Sequence, residues 1–168
     1  MSFDEVYKKH YHEIRRFGRQ MNISPDGCKD LIQETFIRFY LETGKKVIIN
    51  NPRAWLYKVF LNLSRTYLTS ERRKYNNSEI ISAAGNATSD LQEDYIKSEK
   101  QSIVFKVLTE LEEKEQEILL LYHHGFSYAE MAEILRINPN SIGKTLVRAI
   151  DRLKETLKIQ YHEMFEQN

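Results

Sequence analysis

Cysteine is nearly missing from this chain: Cys28 stands alone among 168 residues. No intrachain disulfide can form, and a lone thiol offers no zinc site. Cys28 sits in an apolar helical pattern and reads as a plain core thiol. Proline and glycine are also scarce, at three and six residues. Apolar side chains recur every three to four positions instead of alternating, which predicts an all-α protein. No run approaches the ~18 apolar residues that a membrane span needs, and no charged-then-apolar leader opens the sequence. No membrane insertion and a cytoplasmic location are therefore expected. Catalytic signatures are missing too: there is no Glu-x-x-His pair for a di-iron site, no glycine-rich phosphate loop and no triad-like set. His123 and His124 are adjacent and so face different ways on a helix. The reading is a protein that is not an enzyme and carries no cofactor and no metal.

Excess charge is absent as well, with 25 Lys and Arg against 24 Asp and Glu. The balance hides a segregation. Arg53 to Lys74 holds six basic residues and one acid, Glu71, and Arg136 to Lys158 holds six basic residues and two acids, Asp151 and Glu155. Between these blocks, Tyr75 to Glu117 holds ten acids and four lysines. Two basic blocks parted by an acidic one predict two anion-binding faces on two separate units.

Punctuation along the chain agrees. A first helix from Phe3 to about Met21 carries Phe3, Val6, Tyr7, Tyr11, Ile14 and Phe17 on one stripe. Ser24-Pro25 caps and starts a second, with Cys28, Leu31, Ile32, Phe36, Phe39 and Tyr40 turned inward and a stop near Gly44. Asn50-Asn51-Pro52 starts a third, which packs Trp55, Leu56, Val59, Phe60, Leu63 and Tyr67. A stretch rich in Asn, Ser, Ala and Gly follows and reads as a linker. A last group of helices begins near Asp94. The expected organisation is two small helical domains, 1–75 and 98–168, joined by a flexible acidic linker at 76–97.

The segment SYAEMAEILRINPNSIGKTLVRA, from Ser127 to Ala149, carries the sharpest signal. Gly125 ends the preceding helix, and Ser127 with Glu130 forms a capping box for a new one. That helix is short, because Asn138-Pro139 starts the next only about ten residues later. Ala132 is small enough for a close crossing, and Ile142 points back into the same core. Two short helices at a tight corner form a helix-turn-helix, whose second helix enters the DNA major groove. With Ile142, Leu146, Ile150, Leu153 and Leu157 packed inward, Asn140, Ser141, Lys144, Thr145 and Arg148 face out. The first of these suit base edges, whereas Arg148 and Arg152 are placed to meet phosphates.

A second basic face lies on the Trp55 helix. Lys58, Arg65 and Arg72 are seven residues apart and stack along one line, with Tyr57, Asn62, Thr66 and Thr69 nearby. Cations mixed with an aromatic ring and small hydrogen-bonding groups fit a nucleic-acid groove or an unstacked strand.

Three blocks together resemble bacterial RNA polymerase sigma factors of the extracytoplasmic-function type, the small members of the sigma-70 family with only a sigma-2 and a sigma-4 domain. CKDLIQETFIRFY is similar to the sigma-2 helix that docks on core RNA polymerase. NPRAWLYKVFLNLSRTYLTSERR is similar to the helix that recognises and opens the −10 element. LTELEEKEQEILLLYHHGFSYAEMAEILRINPNSIGKTLVRAIDRLKETL resembles sigma-4, whose last helix reads the −35 element. The resemblance implies that Asp30, Gln33, Glu34 and Phe36 meet the polymerase clamp. It implies that Lys58, Asn62, Arg65, Thr66, Thr69 and Arg72 lie along the −10 DNA, with the loop from Gly44 to Asn51 near a captured unpaired base. It implies that Asn140, Ser141, Lys144, Thr145, Arg148 and Arg152 serve the −35 duplex, that the linker threads through the polymerase, and that an anti-sigma factor is a further partner.

Three positions depart from the family pattern. Thr66 stands where the family tends to have aspartate. Arg136 stands at the corner where glycine is usual, because the backbone there often takes a positive φ. Gly143 replaces the basic residue that usually follows the apolar anchor, with Lys144 next along. Gly143 leaves two explanations open, a close approach to the groove or a merely loosened helix. A free-standing dimeric helix-turn-helix regulator is the alternative reading of the function.

Overall fold

A computed structural model of the chain describes residues 2–45, 47–77 and 99–165. The regular structure of the described residues is entirely helical, and the chain divides into two units, Met1–Tyr95 and Ile96–Asn168. The first holds α1 (Phe3–Gln20), α2 (Pro25–Gly44) and α3 (Pro52–Asn77). The second holds α4 (Glu99–Leu108), α5 (Glu113–His123), α6 (Tyr128–Leu135) and α7 (Pro139–Phe165). Of the expected linker, Asn76 and Asn77 belong to α3 and the remainder lies outside the described residues.

The starts of the first three helices are fixed by short polar side chains. Ser2 and Glu5 form a reciprocal capping box on α1. Ser24 Oγ accepts from the Gly27 N–H at 3.1 Å, with Pro25 in the first turn of α2. Asn51 Oδ1 accepts from the Ala54 N–H at 3.0 Å, just ahead of Pro52. The Ser24 hydroxyl also lies 2.9 Å from the Tyr67 hydroxyl, which joins the start of α2 to the middle of α3.

The core of the first unit is aromatic. Phe17 meets the rings of Tyr57 and Phe60 edge-on at 4.9 and 6.1 Å between centroids, and all three side chains are fully buried. Gly18 sits where the three helices converge. A Cβ there would lie 2.6 Å from Cys28 Sγ and 2.7 Å from Phe60 Cζ, so only hydrogen fits. Cys28 is buried as expected, and burial pushes its thiol up to about 11.

Three ring assignments from the sequence are corrected. Tyr57, grouped with the outer cations, has no exposed surface, whereas Tyr7 and Tyr40, grouped with the core, are 40% and 61% exposed. The buried positions of α3 are Ala54, Leu56, Tyr57, Phe60, Leu61 and Ser64, an arc turned away from the stripe that bulky apolar residues alone would draw. The physical reason is that α3 packs against both α1 and α2. Small residues, Ala54 and Ser64, take up part of that interface, and Ser64 satisfies its hydroxyl by donating to the Phe60 carbonyl at 2.8 Å.

The second unit builds its core from Val107, Ile118, Leu120, Leu121, Phe126, Met131, Ile134, Ile142, Leu146 and Ala149. Gly125, at φ +75°, ends α5: its N–H reaches the Tyr122 carbonyl at 2.9 Å and the Phe126 N–H reaches the Leu121 carbonyl at 3.1 Å. This is a Schellman stop, and the positive φ is what glycine supplies there.

Candidate nucleic-acid interface

The corner between α6 and α7 is built as the sequence predicts. Ser127 Oγ accepts from the Glu130 N–H at 3.3 Å, and the Glu130 carboxylate accepts the Ser127 N–H at 2.9 Å. After Leu135 the backbone turns through Arg136 at φ 55°, ψ 44°, and the Ile137 N–H closes on the Ala132 carbonyl at 3.1 Å. Arg136 thus holds the left-handed conformation that its side chain disfavours. Asn138 restarts the chain, its Oδ1 accepting from the Asn140 N–H at 2.9 Å. Ala132 and Ile142 are buried at this junction.

On α7, Asn140, Ser141, Lys144 and Arg148 are exposed and Thr145 is half-buried. They lie on the face away from Ile142, Leu146 and Ala149. Arg152 is different. Its guanidinium Nε lies 3.3 Å from Glu115 Oε1, and a terminal nitrogen lies 3.9 Å from Glu112. The other Glu115 oxygen is buried with no hydrogen-bond partner among the described residues. Arg152 therefore ties α7 to α5 and balances a carboxylate that is largely removed from water.

On α3, Lys58, Asn62 and Arg65 are half-buried, and Thr66, Thr69 and Arg72 are exposed. Arg65 donates to Asn62 Oδ1 at 3.3 Å. Arg65, Thr66, Thr69, Ser70, Arg73 and Lys74 line one shallow hollow, which brings in Arg73, a cation the seven-residue spacing passed over. Lys74 is paired with Glu71 at 2.7 Å. The three threonines at issue share one chemistry. Thr66 donates to the Asn62 carbonyl, Thr69 to Arg65 and Thr145 to Ser141, at 3.2, 2.8 and 2.8 Å. With the proton spent on the backbone, each hydroxyl oxygen is left as an acceptor, suited to a base amino group more than to a phosphate.

The start of α3 is locked to α1. Glu13 Oε2 accepts from Arg53 Nε at 3.3 Å and lies 3.1 Å from Nδ1 of the buried His10. The Arg53 guanidinium carbon stands 5.6 Å from the Tyr57 ring centroid. Burial pushes the Glu13 carboxyl up, but its hydrogen bonds and charge contacts with His10 and Arg53 outweigh that and hold it below the ordinary value. From this anchored end the loop toward α2 presents Val47 and Ile48, the latter 85% exposed.

The remaining predicted residues lie on α2. Asp30 and Gln33 are exposed and Glu34 is half-buried, paired with Arg38 at 2.7 Å. Phe36 is 3% exposed and sits at the floor of an apolar groove of about 490 Å³ between α1 and α2. Phe3, Tyr7, Ile37, Tyr40 and Leu41 also line that groove. Phe3, Tyr7 and Tyr40 escaped the sequence reading of this groove because their spacing was assigned to the core, and Ile37 and Leu41 were not singled out. The described residues hold no group of His, Cys, Asp and Glu that could bind a metal, and no helix long and apolar enough to cross a membrane.

Two family models match this chain in the order of its units. Sigma-70 region 2 matches residues 6–74, and Sigma-70, region 4 matches residues 102–153. The chain is 27% identical to the ECF RNA polymerase sigma factor SigM of Bacillus subtilis, over 92% of this chain and 94% of that one. It is 28% identical to the RNA polymerase sigma factor YlaC of the same organism, over 93% and 92%. Its fold is similar to that of the sigma factor RpoE of Bartonella quintana, solved with the anti-sigma factor NepR, at a TM-score of 0.68 and 23% identity over 94% and 98% of the two chains. The chain belongs to the sigma-70 family as a sigma factor of the extracytoplasmic-function type, a protein that directs promoter-specific transcription initiation. The free-standing dimeric regulator is not favoured, since region 2 accounts for the whole of α1 to α3 apart from their ends.

Proposed function

We propose that this chain binds core RNA polymerase in the cytoplasm and places two basic helices on two promoter elements, α3 on the −10 element and α7 on the −35 element. It acts by binding and not by catalysis. The exposed face of α2, with Asp30, Gln33, Glu34 and the apolar groove above Phe36, is the docking surface for the polymerase clamp. Lys58, Asn62, Arg65, Thr66, Thr69 and Arg72 lie along the −10 DNA, joined by Arg73. Asn140, Ser141, Lys144, Thr145 and Arg148 face the −35 duplex, and Arg152 positions α7 through its pairing with α5. Residues 1–75 and 98–168 are the two working domains and 76–97 the linker between them. An anti-sigma factor that covers these faces is a further partner, as the Bartonella complex supports for its own sigma factor.

The observation that carries this reading is the pairing of two basic helix faces, one on each unit, with a net charge of only +1. Non-specific DNA affinity rests on phosphate neutralisation, so a chain with so little excess cation binds DNA weakly by itself. Held together on the polymerase, two weak readers act at high effective concentration and become one strong reader. The test is run-off transcription from a promoter mapped by overproducing the chain. Transcripts starting at that promoter only when both core polymerase and this chain are present support the proposal. Unchanged transcription by the polymerase, with a gel shift by the chain alone, refutes it.

A further inference from the structure

Gly143 is the fifth residue of α7, among the outward-facing residues of the reading helix. Nothing inside the fold calls for glycine there. Its backbone is helical, and a Cβ would meet only Tyr128 Cε2, at 3.6 Å, an ordinary van der Waals contact. Alanine would fit and would favour the helix. The gain from glycine must therefore be outside the chain, at a surface that comes close to the α7 backbone. The missing side chain also leaves the edge of Tyr128 uncovered. Tyr128, the first residue of α6, is 49% exposed, and Val147, one turn beyond Gly143 on the same face, is 56% exposed. The ring edge of Tyr128 and the exposed side chain of Val147 thus border a position that carries no side chain of its own.

We propose that Gly143, the ring edge of Tyr128 and the side chain of Val147 form an apolar slot that receives the C5-methyl group of one thymine in the −35 element. This deepens the assignment of α7 to that element and rests on it. The chemistry is specific. In the major groove a thymine presents one acceptor and one methyl group, and the methyl is the only alkyl group on any of the four standard base edges there. An apolar slot made by a ring edge and a valine beside a polar, basic reading face suits that methyl and not a phosphate. A basic side chain at position 143, the usual family choice, would fill the slot and replace apolar recognition by a charge. Gly143 therefore exchanges one base preference for another, and Lys144 keeps a cation beside it.

The experiment uses holoenzyme reconstituted from the full chain and core polymerase, with −35 elements selected from a randomised duplex library. Each selected thymine is then replaced singly by deoxyuridine, which removes only the methyl group. At one thymine shared by the selected elements, the wild-type holoenzyme should lose about threefold to fourfold in affinity, the worth of one buried methyl. Gly143→Ala, which places its own methyl in the slot, should show no loss at that position while melting no lower than wild type. Selected elements that share no thymine, neutral substitution at every thymine, or an equal loss in Gly143→Ala would each overturn the slot while leaving promoter binding by α7 in place. A holoenzyme that selects no DNA would overturn the assignment of α7 itself, and the slot with it.

Discussion

The two helices proposed to face DNA are built on opposite terms. In the first unit α3 is held by close aromatic packing, by Gly18 at a three-helix crossing, and by Glu13 gripping Arg53 at its first turn. In the second unit α7 begins after a residue in an unfavourable conformation, Arg136, and carries a glycine within its first two turns. The first unit spends side-chain volume to fix its helix, whereas the second tolerates local strain next to the face proposed to read bases. Such strain persists only where surrounding structure over-determines it, and it gathers at functional positions.

The sharpest way to break this contrast is at Gly18. A methyl group there must displace buried Cys28 and Phe60, so Gly18→Ala should lower stability by about 2 kcal/mol, the overpacking cost exceeding the ~1 kcal/mol that alanine returns to a helix. Calorimetry of the full chain should show the transition of the first unit falling by roughly 10 °C with that of the second unmoved. Next comes Arg152. Removing it strands the Glu115 carboxylate, so Arg152→Ala should cost about 1–2 kcal/mol in the second unit. The salt dependence of holoenzyme binding to its promoter should stay the same, whereas Lys144→Ala or Arg148→Ala should reduce the slope by about one.

Two substitutions at the corner and the start of α7 should work in the opposite sense. Gly143→Ala should stabilise it by about 1 kcal/mol, and Arg136→Gly by about 0.5–1 kcal/mol, since glycine relieves the left-handed backbone but loses more entropy on folding. If both instead destabilise, the corner and the reading helix are not strained and the contrast fails. The smallest effect belongs to Glu13. Its carboxyl is held below the ordinary value, so its contribution is full above about pH 4.5 and is lost as pH falls through the lowered value. Because the group is about a third exposed, the loss should be under about 1 kcal/mol, and Glu13→Gln should remove this part of the acid dependence.

Much of this was legible in the sequence because it rests on local chemistry. Ser24-Pro25, Asn51-Pro52, Ser127 with Glu130 and Asn138-Pro139 each fix a helix start through neighbours along the chain, and all four stand in the structure. The positive φ at Arg136 was implied by the family resemblance, in which glycine usually holds this corner. Rings were read less well. Tyr7, Tyr40 and Tyr57 are amphipathic, and periodicity cannot say which of two neighbouring helices a ring will meet. Arg152 was read from the charge of its own helix, but its partners lie on α5, nearly forty residues earlier in the chain. The hollow that adds Arg73 and the groove over Phe36 depend on how faces combine, which no single stretch encodes.

The measurement that bears most directly on the central claim is the affinity of a mapped promoter for this chain, with and without core polymerase, at physiological salt. The chain alone should discriminate poorly between promoter and random DNA, and the addition of polymerase should produce tight, promoter-specific binding that needs both α3 and α7. Equal promoter affinity in the presence and absence of polymerase would contradict it.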